Sequence, residues 1–89
     1  MSSESVPNIA DARKRKKERL LEEIDELFQQ AQGYDEEAAG HESDADEFQQ
    51  EGFPNEAREE RRQARMNRAW AREKRRQASA LQRKVRHMR

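Results

Sequence analysis

The chain has 89 residues, 31% of them hydrophobic and 43% charged, and a mean hydropathy of −1.53. An average globular domain carries only about 25% charged residues, so this composition excludes a large core and the concave, partly dry site that acid–base catalysis needs. There is no cysteine for a disulfide or a thiolate metal site. No apolar run approaches the roughly 20 residues of a membrane-spanning helix, so no membrane partner and an intracellular setting are expected.

The formal net charge of zero hides three blocks. Residues 1–19 hold six basic and three acidic side chains, residues 20–57 hold thirteen acidic and no Lys or Arg, and residues 58–89 hold thirteen basic and three acidic. Charge segregated this sharply points to oppositely charged partners.

In chain order, residues 1–8 read as a disordered start, with Asn8 a candidate N-cap. Residues 9–32 predict a first helix ending at Gly33 as its C′ residue. Its first half carries the cations of residues 13–19, a pattern that fits a nuclear-localisation patch, a second phosphate contact or a solvated face. Its second half carries Leu20, Leu21, Ile24, Leu27, Phe28 and Ala31 at the spacing of one apolar face. Residues 33–54 contain all three glycines, acidic clusters and scattered aromatics, and predict a flexible acidic linker. Asn55 is a candidate cap for a second helix over 55–88, with Glu56, Glu59 and Glu60 suited to its positive end. The expected fold is therefore all-α: two helices, as a hairpin or extended, joined by the linker and partly disordered when unbound. The large apolar residues assigned to packing are Leu20, Leu21, Ile24, Leu27 and Phe28 against Leu81, Val85 and Met88, within one chain, as a coiled coil, or across a homodimer.

The second helix has a distinctive surface. At about 100° per residue, Arg58, Arg61, Arg62, Arg65, Arg68, Arg72, Arg75, Arg76, Arg83 and Arg86 fall within an arc of roughly 140°. A solvated charged face normally alternates sign so that i,i+4 pairs form; here like charges repel along the helix and call for an anionic surface. A guanidinium binds phosphate bidentately and stacks on bases, which an ammonium does not. Within this run Trp70 can stack on an unpaired base and Asn67 and Gln63 can read base edges, which favours RNA. Trp70 packing with Met66 against the first helix is the equal alternative.

The stretch Arg62-Gln63-Ala64-Arg65-Met66-Asn67-Arg68, followed by Trp70, Arg72-Glu73 and Gln77, resembles the arginine-rich RNA-binding helix of lentiviral Rev proteins. It is also similar in kind to the arginine-rich peptides of lambdoid antiterminators. The resemblance covers about sixteen of the 89 residues. It implies that Asn67 and its flanking arginines read a nucleic-acid groove. Asn67 and Arg75 also have the Asn-x7-Arg spacing of leucine-zipper basic regions, but Lys84 stands where the first zipper leucine belongs.

Catalytic groupings are missing: there is no phosphate loop and no nucleophile-elbow serine, and no cofactor is implied. His41, Glu42, Asp44, Asp46 and Glu47 form an acidic stretch without the glycine an EF-hand loop requires, so no built metal site is expected. Tyr34, Phe48 and Phe53 among acids suggest a docking motif, or a segment that folds back on the arginine face. The sequence thus predicts a non-enzymatic accessory protein binding RNA or DNA, alone or within a larger ribonucleoprotein assembly. The alternative is a protein–protein assembly or scaffolding factor that docks both charged segments on oppositely charged partners.

Overall fold

The computed structural model describes residues 9–88; the expected disordered segment 1–8, including Asn8, lies outside them. The described residues form two α-helices, α1 (Ile9–Glu51) and α2 (Pro54–Arg86), and no strand. They pack along each other as an antiparallel hairpin, a rod with extents of 78 × 22 × 12 Å. Its accessible surface of 7020 Å² exceeds the roughly 5,500 Å² expected of a compact globule of this mass. The core is correspondingly thin.

The turn between the helices follows from the sequence Glu51-Gly52-Phe53-Pro54. Gly52 adopts φ +87°, a left-handed conformation that glycine reaches without Cβ strain. Its N–H donates to the Gln49 carbonyl at 3.3 Å, and the Phe53 N–H donates to the Phe48 carbonyl at 2.8 Å. These two bonds are the Schellman closure of a helix C-terminus, and its usual hydrophobic contact is present too. The Phe48 and Phe53 rings meet edge to face at 6.4 Å. Pro54 then starts α2 at N1, where its missing N–H costs nothing.

This differs from the sequence expectation at three places. Helix α1 does not stop at Gly33 but continues through the segment expected as a linker, and the C′ role falls to Gly52. Asn55 is not the cap of α2; Phe53 holds that position without a side-chain cap bond, and α2 ends at Arg86 rather than residue 88. The reason for the longer α1 is tertiary. Each interior glycine costs about 1 kcal/mol relative to alanine, but the residues beyond them bury against α2.

That burial has a regular period. In α1 the most sheltered positions run Leu20, Ile24, Leu27, Ala31, Tyr34, Ala38, His41, Ala45, Phe48, alternating steps of four and three. In α2 the same alternation runs from Ala57 through Glu60, Ala64, Asn67, Ala71, Lys74, Ala78 and Leu81 to Val85, and Met88 continues it just beyond the helix end. Seven alanines on this seam, Ala31, Ala38, Ala45, Ala57, Ala64, Ala71 and Ala78, are at most 3% exposed. Small side chains at the contact let helix axes approach to the short end of the usual range of about 8–10 Å. Larger aliphatic residues gather near the open end, where Ile24, Leu27 and Ala78 form a cluster joined by Leu81 and Val85. Of the remaining residues expected to pack, Leu20 and Met88 are half-buried, while Leu21 and Phe28 stay exposed. Those two sit one position off the seam, so they flank the contact instead of entering it.

Candidate nucleic-acid interface

The seven-residue period of the seam sorts the arginines of α2 into rows. Arg61, Arg68 and Arg75 form the row beside the seam, within reach of the matching row Asp35, Glu42 and Gln49 on α1. Arg68 donates to Asp35 at 3.1 Å and to Glu42 at 2.6 Å, and Arg61 donates to Gln49 at 3.4 Å. Arg75 also pairs with Asp35. Two further arginines bond along α2 itself: Arg62 to Glu59 at 3.0 and 2.7 Å, and Arg76 to Glu73 at 3.2 Å. Five arginines of the expected binding face are therefore engaged within the chain.

The row one step further out is different. Arg58, Arg65, Arg72 and Arg86 recur at multiples of seven residues, and neither they nor Arg83 form an ion pair among the described residues. Arg65 and Arg72 also line a shallow groove between the helices with Arg61, Ala64, Arg68 and Glu42. A second depression lies between Arg72, Arg75, Arg76 and Ser79. Such a face offers several guanidinium forks to a negatively charged ligand without dismantling the cross-helix pairs.

Two residues expected to read bases are placed otherwise. Asn67 is only 4% exposed, because it occupies a seam position, and it cannot present its amide to a base in this fold. A polar residue in a helix–helix seam instead serves to fix register. Trp70 is 47% exposed, and one side of it rests on Tyr34, with ring centroids 5.4 Å apart and planes tilted by 56°. The remainder of the indole stays open. Gln63 is half-buried and donates to Glu59 at 3.2 Å.

The carboxylates respond to these partners. Asp35 titrates below its ordinary value, chiefly through the hydrogen bond from Arg75, with burial opposing and Arg68 assisting. Glu59 is lowered to about 2 by the hydrogen bonds of Arg62 and Gln63. Because the folded-state value of Asp35 is depressed, its contribution to stability is complete above the unfolded value of 3.8 and is lost as pH falls through the folded value. Partly exposed ion pairs are worth at most about 1 kcal/mol. Asp35→Asn should therefore lower the melting temperature at pH 7 by a few degrees, and the gap to the wild type should be smaller at pH 2. A gap of equal size at both pH values would show that the aspartate acts by something other than charge. His41 pairs with Glu60 across the seam. No three His, Asp or Glu side chains among the described residues converge as metal ligands, since the acidic stretch winds around a helix.

The alanines and polar residues in the middle of the seam, from Tyr34 and Ala38 on α1 and from Ala57 to Ala78 on α2, were the ones sequence reasoning missed. The signal was present as alanines every seventh residue, but a search for large apolar side chains passes over it. The fold and these rows define a class, the antiparallel two-helix hairpin with one cationic flank. Comparison with protein-family models, curated proteins and solved structures found no match for the chain.

Proposed function

We propose that this is a small, non-enzymatic nucleic-acid-binding accessory protein, with RNA as the favoured ligand, that grips the phosphate backbone through the outer arginine rows of α2. In this reading the hairpin acts as an antiparallel coiled coil that holds the arginines at fixed spacing. The observation that carries it is the row Arg58, Arg65, Arg72 and Arg86, without a carboxylate partner among the described residues, while Arg68 and Arg75 of the inner row pair with carboxylates of α1. The open side of Trp70 adds a stacking surface for an unpaired base, which single-stranded RNA offers and duplex DNA does not. With Asn67 in the seam, recognition is of backbone and stacking rather than of sequence.

The test is a titration of the full chain into a labelled 30-nucleotide RNA and a DNA duplex of equal length, across a salt series. Five arginine–phosphate contacts on a single strand predict a log–log salt slope of about −3.5, and so a loss of roughly 100-fold between 50 and 200 mM salt. Arg65→Glu with Arg72→Glu should weaken binding further at every salt concentration. A flat slope, or no binding at 50 mM, would remove the proposal.

A second reading has its own observation. Residues 38–64, at the turn end of the rod, hold eight carboxylates against three arginines. A protein–protein assembly factor would use that acidic end on a basic partner and the arginine flank on an acidic one. In that case a polyglutamate competitor would displace the chain from its partner as well as RNA does.

A further inference from the structure

Antiparallel pairing brings together two basic segments that lie at opposite ends of the sequence. The six cations within residues 13–19 of α1 come to the same end of the rod as Arg83, Lys84 and Arg86 of α2. Arg13 and Lys16 line one depression with His87 and Met88, which shows the two segments in direct apposition. Residues 9–22 and 80–88 together hold nine cations against three carboxylates, a net of +6. The turn end, residues 38–64, carries −5.

The cations at the two regions are also in different states. Around the middle of α2, Arg62, Arg68, Arg75 and Arg76 are paired with carboxylates of α1 or of α2 itself. None of the nine at the open end forms an ion pair among the described residues. Those of α1 are a burden on their own helix: they repel at i,i+3 and i,i+4 and lie toward the positive end of its dipole. An anionic ligand relieves both penalties.

We infer that the open end of the hairpin is the principal phosphate anchor, a composite site in which the basic start of α1 and the basic finish of α2 clasp one stretch of nucleic-acid backbone. This rests on the nucleic-acid reading above, and it moves the centre of that interface from the middle of α2 to the end of the rod. The outer arginine row then extends the contact along the hairpin toward the turn.

The experiment compares three full-length chains on the same labelled 30-nucleotide RNA: wild type, the triple variant Lys14→Glu, Arg15→Glu, Lys17→Glu, and the double variant Arg65→Glu, Arg72→Glu. All five positions are exposed and form no ion pair among the described residues, and acids near the start of α1 suit its dipole. Helicity by circular dichroism should therefore be unchanged. The triple variant should lose at least about 100-fold in affinity at 100 mM salt and about 2 from the magnitude of the salt slope, at about 0.7 per phosphate contact. The double variant should lose less. A neutral triple variant with glutamine at the same positions should lie between the triple reversal and wild type. If the triple variant binds within twofold of wild type while the double variant fails, the anchor is mid-helix and the inference falls, with the function intact. If wild type binds no RNA, or binds polyglutamate equally well, the nucleic-acid reading and the anchor fall together.

Discussion

Ala71→Asp should unfold the hairpin, while Ala69→Asp, two residues away on the same helix, should leave it folded. Both substitutions carry the same helix-propensity penalty of a few tenths of a kcal/mol. They differ in where the carboxylate goes. Ala71 is fully buried on the seam, whereas Ala69 faces solvent. A short aspartate at position 71 cannot reach water past the facing helix, so it must either ionise in a poorly solvated gap or push α1 away. Burying an unpaired charge is among the few mechanisms that cost several kcal/mol from a single substitution. A rod with so little core has no reserve to absorb that. Thermal melts followed at 222 nm would read the outcome: a cooperative transition for wild type and Ala69→Asp, and reduced helicity at room temperature for Ala71→Asp. Equal melting temperatures for the two variants would mean that the alanine seam does not hold the helices together.

Gly33→Ala combined with Gly40→Ala should raise the melting temperature by roughly 10 °C, and Gly52→Ala should lower it. Gly33 and Gly40 lie inside α1, and a Cβ added at either would meet nothing within 4 Å. Each replacement therefore removes backbone freedom from the unfolded chain without a clash, for about 0.5–1 kcal/mol. In a chain of this size 1 kcal/mol moves the melting temperature by about 4–8 °C. Gly52 also has open space around it, but its φ of +87° strains any L side chain by about 1–2 kcal/mol. The contrast separates the two roles of glycine along one helix. If the double alanine variant gained no stability, residues 33–51 would not be helical in the folded protein.

The same glycines show why the fold is only partly legible in the sequence. Two helices and an all-α fold were legible because residues 9–32 and 55–88 have strong local patterns: good helix formers, a clear apolar stripe over 20–31, and a one-sided arginine arc. Between them, Gly33, Gly40 and a run of acids look locally like a linker. Their helical state depends on Tyr34, Ala38, His41, Ala45 and Phe48, whose value is visible only once α2 lies opposite. Alanine carries almost no hydrophobic signal by itself, and a half-buried histidine or a buried asparagine looks polar from sequence alone. Phe28 and Leu21 misled in the opposite direction, being large and apolar yet one position off the seam.

The candidate site divides in the same way. Sequence by itself determined that α2 carries one arginine face and that the charges fall in blocks, because helical periodicity and side-chain type are local properties. Only the tertiary structure decided which arginines are engaged across the hairpin. The antiparallel register sets Asp35 and Glu42 against Arg68 and Arg75 and leaves Arg58, Arg65 and Arg72 without an ion-pair partner among the described residues. It also withdrew Asn67 into the seam and joined the basic start of α1 to the basic end of α2. The physical reason is that charge neutralisation and burial depend on distances between residues far apart in the chain, and the hairpin turn at Gly52 fixes those distances.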